Sequence, residues 1–451
     1  MDRITTVLSV FFALTPALAQ APDSAGCVTC TNAAVVETSL CHYLEVKSVE
    51  PGSPAAAAAV RPGDILETYG GAAVGCRTEL ARAREAVTTE SVAVAFRRGD
   101  RVLHFLLPKG KLGVFLDEWQ PDIAPDPDAK LIAGVPRLEW DEDKSNTFVG
   151  AFEAALRKLG DRTDYVFLAG ASGAAFRTHF FNDWCPSSPD PGVGYDLTRE
   201  ILATRGYEPV RMTQSPDGKN RPAMLAAIKA SIDSGLPVLA WNIDGFPEYG
   251  LVVGYQKAGQ ELFVRTYNST RKGYDLTGNV PPAITILKRD TRPKEDAVAR
   301  GSFASVAGML APEKYGEYWN GLAAFDKWTE RLKSDDWTGL DSARFGNVVQ
   351  ANWWITTRLA DDRRTGVDYL RCAAVNVPDA APHLHALAAL YEQEVALLTP
   401  LVESLPDPSA VVRPEQWTRP ERDAEVTVLT SCRALEFQAI GIWNELAAAR
   451  R

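Results

Sequence analysis

Val49-Glu50-Pro51-Gly52-Ser53-Pro54-Ala55, then four more alanines, then Val60-Arg61-Pro62-Gly63-Asp64-Ile65-Leu66, is the stretch on which the first folded unit turns. Proline presets φ and glycine permits positive φ, so each Pro-Gly pair predicts a turn. Pro51-Gly52-Ser53-Pro54 ends a strand that alternates through Tyr43-Leu44-Glu45-Val46-Lys47-Ser48-Val49, and it opens a short alanine helix. Arg61-Pro62-Gly63-Asp64 makes a second turn into the strand Ile65-Leu66-Glu67-Thr68-Tyr69, which stops at Gly70-Gly71. A helix follows over 78–87, with Leu80, Ala83 and Val87 on one face. Residues 91–96 and 101–107 form a hairpin across Arg97-Arg98-Gly99-Asp100.

Ahead of this unit, Met1-Asp2-Arg3 leads into an apolar run over 4–14 and then Thr15-Pro16-Ala17-Leu18-Ala19-Gln20-Ala21. That pattern predicts a secretory signal peptide over 1–21, cleaved after Ala19 or Ala21, and so an exported chain, periplasmic or secreted. The run is shorter than the ~20 apolar residues of a spanning helix, so no stable membrane insertion is expected after cleavage. Residues 22–40 are small and polar and form a linker. Export permits disulfides, and a structural one is expected among Cys27, Cys30, Cys41 and Cys76. Cys372 and Cys432 could also pair. With seven cysteines in all, at least one thiol is left free or intermolecular.

Beyond it, Pro121, Pro125 and Pro127 among aspartates mark a second linker over 119–133. Residues 134–299 place a helix first and strands later, which predicts an α+β domain. The helix spans 147–159 and stops at Gly160; a loop-rich section containing 170–177 follows; a helix starts at Pro222; strands cover 237–243, 251–255 and 261–267. From 300 to 451 apolar stripes recur at helical spacing, as in Val349, Trp353, Thr356, Ala360, Val367, Leu370 and Ala374, and predict a helical bundle. The net charge of −10, without a basic cluster, argues against a nucleic-acid partner. No phosphate loop, dinucleotide fingerprint, zinc motif or calcium loop is present, so no cofactor or metal is expected.

The two Pro-Gly motifs and their flanking strands over 41–118 resemble a bacterial PDZ domain, a β-sandwich with two helices. The resemblance implies that an extended segment of a peptide or protein partner adds to a strand edge. It places the groove between the strand over 44–49 and the helix over 78–87, with Leu44, Glu45, Val46, Leu80, Ala83 and Val87 as peptide-binding residues. A glycine-rich carboxylate loop does not precede Leu44, where the chain reads Leu40-Cys41-His42-Tyr43. Leu112-Gly113-Val114-Phe115-Leu116 is an alternative source from the other end of the unit. His42 is either a ligand contact or structural.

Residues 134–290 resemble the N-terminal domain of the butirosin biosynthesis protein H family, related to papain-like peptidases and acting by acyl transfer through a cysteine. The matching segments are Gly134 to Trp140, Thr147-Phe148-Val149-Gly150-Ala151-Phe152, Gly170 to Arg177, Trp184-Cys185-Pro186-Ser187-Ser188 and Gly250-Leu251-Val252-Val253-Gly254-Tyr255. The helical tail also resembles that of such proteins. A papain-like site needs a cysteine at a helix N-terminus, a histidine in reach and an Asn or Asp to orient it. By this resemblance the cysteine position is Asn146, the histidine position is Glu248 or Tyr249, and the third falls near 266–268, with Asn268 the candidate. Asn146 is a good N-cap but no nucleophile. The chain is therefore expected to be a non-catalytic, exported, peptide-binding protein with a multidomain α+β fold. The alternative is a cysteine-dependent peptidase or acyltransferase using Cys185 and His179, oriented by Asp183 or Asp190. Glu248 and Asp244 form a further carboxylate pair near the vacated position.

Overall fold

The structure is a computed structural model that describes residues 43–449, apart from 76, 99–100, 120–127, 141–143, 162, 270–272, 290, 336, 338 and 409–412. The expected signal peptide, the first linker, His42 and the disulfide among Cys27, Cys30, Cys41 and Cys76 lie outside the described residues. Among the described residues the fold is mixed α+β, with three antiparallel sheets, eleven α-helices and a helical C-terminal region.

The first unit contains β1 (Tyr43–Val49), α1 (Pro54–Ala57), β2 (Ile65–Tyr69), β3 (Ala72–Ala73), α2 (Arg77–Ala86), β4 (Ser91–Arg98), β5 (Arg101–Pro108) and β6 (Val114–Trp119). Its sheet runs β5-β4-β2-β1-β6, with β3 paired to β2. The two Pro-Gly turns have visible locks. Ser53 caps α1, its Oγ accepting the Ala56 N–H at 3.1 Å. Asp64, 1% exposed, accepts the Arg61 N–H at 2.8 Å and pairs with Arg98 at 2.7 Å. Gly113 adopts φ +78° against Ser53, where a Cβ would lie 2.1 Å from the serine's own Cβ. Only glycine fits there, and the chain reaches β6 through it.

The topology corrects the expected groove. β1 pairs with β2 on one side and with β6 along its whole length on the other, so it offers no free edge. Leu44 and Val46 are core residues, together with Ala83; Leu80 and Val87 pack against the same cluster. Among the described residues the open edges are β5 and β6.

The second unit contains β7 (Lys130–Leu131), α3 (Thr147–Lys158), α4 (Tyr165–Ser172), β8 (His179–Phe180), α5 (Thr198–Ala203), β9 (Tyr207–Thr213), α6 (Arg221–Asp233), β10 (Val238–Trp241), β11 (Tyr249–Gln256), β12 (Glu261–Arg265), β13 (Asp275–Thr277) and β14 (Ala283–Arg289). Its sheet runs β13-β12-β11-β10-β14-β9. Two expectations change here. The end of the expected linker is strand β7, which pairs with β11 across Gly254, where a Cβ would stand 2.4 Å from the Lys130 carbonyl. The run over 170–177 is not a loop: α4 and a turn of 3-10 helix (Ala174–Phe176) bury it. Its small residues serve close packing, since a Cβ on Gly170 would meet the Tyr369 ring at 2.0 Å.

The C-terminal region holds α7 (Glu295–Leu310), β15 (Lys314–Tyr315), β16 (Tyr318–Asn320), α8 (Gly321–Ser334), α9 (Ser342–Asn376), α10 (Ala381–Ser404) and α11 (Arg419–Ala448). It is not purely helical. The β15–β16 hairpin forms the third sheet with β8, pairing Trp319 with Phe180 and Asn320 with His179. One apolar core then runs from Ile132 to Leu446, joining Phe176 to Tyr369, Tyr391 and Trp443. Cys185, Cys372 and Cys432 are free thiols; Cys372 is exposed while Cys432 is buried, so the pair considered between them does not form.

A buried ion cluster ties the tail to the second unit. Arg363 of α9 donates to the Ala175 carbonyl at 2.8 Å, Thr178 Oγ1 at 2.7 Å, Glu394 at 3.2 Å and Glu436. Burial, and then the charge of Glu436, hold the Glu394 carboxyl well above the usual range. A carboxyl raised on folding contributes most below its unfolded pKa and loses that contribution as pH rises. Arg363→Ala strands two buried acids and is expected to cost about 3–5 kcal/mol. Glu394→Gln is expected to leave stability nearly unchanged at pH 4 and to raise it at pH 8. Urea unfolding at both pH values checks these signs.

Candidate functional site

The start of α3 is where the positions assigned from sequence meet. Asn146 is the N-cap, with φ −84° and ψ 98°, and its Oδ1 accepts the Val149 N–H at 3.3 Å. The Asn146 backbone N–H donates to the Tyr165 hydroxyl at 2.9 Å. Thr147 Oγ1 donates to Glu248 Oε2 at 2.6 Å and accepts the Tyr249 N–H at 3.2 Å. Asn146 and Glu248 are thus neighbours, linked through Thr147, where helix α3 meets the start of β11. Asn268 lies exposed in the turn after β12. Its neighbour Tyr267 is the buried residue, with its hydroxyl against Gly150 of α3.

Sequence reasoning missed the wall that α9 supplies. Arg358, 2% exposed, donates to the Ser145 carbonyl at 2.6 Å and contacts Asp362 at 3.4 Å. The signal was present as Arg358, Asp361, Asp362 and Arg363 inside an otherwise apolar-faced helix, since buried charges need partners. Trp140 and Trp354 complete this side, with rings 5.8 Å apart, and Trp140 stacks 4.9 Å from Tyr267.

Asp190 faces the same place. Arg177, 5% exposed, gathers its loop by donating to the carbonyls of Pro189, Asp190, Val193 and Tyr195. Burial and then Asp190 push the Glu248 carboxyl up to about 7. Burial also pushes Asp190 up to about 6 and Asp361 up to about 7. The electrostatic partner of Glu248 is therefore Asp190. Asp244, considered for that role, is exposed and instead bonds Thr277 at 2.6 Å and Asn279 at 3.0 Å.

The arrangement places two carboxyls, Glu248 and Asp190, that change protonation near neutral pH beside the start of α3. It presents no thiol at the helix end, and the backbone N–H groups of Asn146 and Val149 are engaged by Tyr165 and by the cap. Cys185 and His179 both lie beside Tyr318. Cys185 has the Tyr318 hydroxyl 3.8 Å from its sulfur, and the His179 ring lies 6.1 Å from the Tyr318 ring. His179 is 2% exposed, and neither ring nitrogen makes a well-aligned hydrogen bond, although Asn320 and the Val193 backbone lie beside it. Burial and then Arg177 push its pKa down to about 2, so it stays neutral and is a weak base. Asp183 is exposed.

In the first unit, the β6 edge carries the exposed Phe115, and Arg77 at the start of α2 donates to the Leu116 carbonyl at 2.8 Å. The β5 edge exposes Val102 and Leu106. Among the described residues no cluster of three metal-ligating side chains occurs, and no helix is long and apolar enough to cross a membrane. No family model matches the chain, and no curated protein matches it.

The carboxyl pair sets a pH dependence. Glu248 titrates higher in the folded chain than unfolded, so its contribution is full below about pH 4.5 and is lost as pH rises through 7. Glu248→Gln keeps the hydrogen bond to Thr147 and removes this loss. We expect a gain of about 1 kcal/mol at pH 8 and little change at pH 4.5, read from thermal unfolding.

Proposed function

We propose that the chain is an exported binding protein with a PDZ-like unit and a papain-like domain that has lost its cysteine chemistry. The observation that carries the second half is the closed start of α3. Asn146, standing at the position of the family cysteine, caps the helix, while Tyr165 takes up its backbone N–H. Glu248, at the position of the histidine, is hydrogen-bonded to Thr147. An N-cap amide and a carboxyl cannot replace a thiolate and an imidazole in nucleophilic acyl transfer.

The sheet order of the first unit supports a partner strand on β6. The Leu112-Gly113 loop leads directly into β6, tied down by the Ala55 N–H to the Leu112 carbonyl at 3.0 Å and the Glu50 N–H to the Gly113 carbonyl at 2.7 Å. β6 lies beside α2 and has β1 on one side only. An extended segment added there gains main-chain hydrogen bonds, with Phe115 as a side-chain contact.

Peptides selected from a random displayed library on the full chain test this reading. Phe115→Asp is expected to weaken the selected peptides about tenfold, or about 1.4 kcal/mol. Leu106→Asp, on the opposite edge, should leave affinity unchanged. Loss of binding with Leu106→Asp and not with Phe115→Asp would overturn the assignment.

A further inference from the structure

A pocket of about 190 Å³ opens at the junction of α4, α7 and α9, on other elements than the start of α3. Thr163, Asp164 and Phe167 bound it on one side, Ala299 on a second, and Tyr369 and Cys372 on a third. Its floor is aromatic: the Phe167 and Tyr369 rings meet edge-on at 6.3 Å, and Ala299 and Tyr369 are buried. An engineered apolar cavity of about 150 Å³ admits benzene, so this one has room for a single ring with a short chain.

Among the described residues its charged groups are the exposed Asp164 and arginines already held by carboxylates: Arg205, whose guanidinium lies 5.8 Å over the Phe167 ring, pairs with Asp161 and Glu295, and Arg292 pairs with Asp161. Thr163 is 7% exposed and its hydroxyl has no hydrogen-bond partner. Asp164 is exposed, and one of its oxygens caps α4 by accepting the Phe167 N–H at 2.8 Å. Glu295, also at the wall, is offset by Arg205 at 2.9 Å and Arg292 at 3.9 Å. Burial, then the charges of Asp164 and Asp368, push up the Cys372 thiol. Cys372 therefore serves as an uncharged wall in a negative field, not as a nucleophile.

We propose that this pocket binds a small molecule composed of one aromatic ring and one primary ammonium group. The ring packs on Phe167 and Tyr369 in an edge or offset arrangement. An ammonium has three donors and no acceptor, and the exposed Asp164 carboxylate at the wall is its acceptor. A carboxylate in the same place meets like charge. The proposal is independent of the peptide-binding reading, because it uses none of the same residues.

Calorimetric titration of the full chain with phenethylamine, 2-phenylethanol and phenylacetate tests it. Phenethylamine is expected to bind at least about tenfold more tightly than phenylacetate, with the alcohol between them. Asp164→Asn keeps a competent N-cap and should bring the amine-to-acid ratio below about threefold. Cys372→Phe, at an exposed position, should fill the mouth and abolish binding; Asn376→Trp on the rim provides a second block. Circular dichroism and the melting temperature establish that each variant is folded. Equal binding of phenylacetate, no binding of phenethylamine, or phenethylamine binding that survives both blocks would overturn the proposal.

Discussion

Arg363 is the constraint on which the arrangement of the molecule depends. Taking a guanidinium and two carboxyls out of water costs several kcal/mol per ion, and only well-formed hydrogen bonds offset that cost. Here the guanidinium is shared among Glu394, Glu436, the Ala175 carbonyl and Thr178, so α10, α11 and the end of the 170–177 run all converge on α9. A helix is stiff over such distances. Fixing Arg363 also fixes Arg358, five residues earlier on α9, against the Ser145 carbonyl at the start of α3. The tail is therefore part of the site, and the single core from Ile132 to Leu446 follows from the same docking.

Local chemistry was legible in the sequence where one residue type has one physical use. The Pro-Gly turns, the Asn146 cap and the end of α3 near Gly160 are of that kind, and the structure shows each in place. What was not legible depends on partners distant along the chain. Gly170-Ala171-Ser172-Gly173 has the composition of a loop, yet it is the small surface that lets α4 approach Tyr369. The β15–β16 hairpin is short, and its partner, β8, lies more than a hundred residues earlier. The strand order of the first unit could not be inferred from alternation, because β6 reads Val114-Phe115-Leu116-Asp117-Glu118-Trp119 without alternating and only pairing shows which strand is outermost.

The candidate site divides in the same way. Asn146 and Glu248 were both found from sequence, and the structure brings them to one helix end. Asp190, Arg177 and Arg358 were not assigned their roles there. Their effect is electrostatic: burial raises Glu248 and Asp190 toward neutral pH, the charge of Asp190 raises Glu248 further, and Arg358 limits both rises. A capped helix end, an engaged backbone N–H and two half-buried carboxyls raised toward neutral pH make up this site, and none of them is a nucleophilic thiol. This is the physical basis for the proposal that the second unit has no cysteine chemistry.

The most direct measurement of that central claim is mass spectrometry of the purified full chain after incubation with a simple acyl thioester, alongside assay of thioester and amide turnover. A chain without cysteine chemistry forms no acyl adduct beyond that of its unfolded control, and turnover stays at the buffer rate. A stoichiometric adduct on one thiol with turnover above buffer, both removed by Cys185→Ser, would contradict the account.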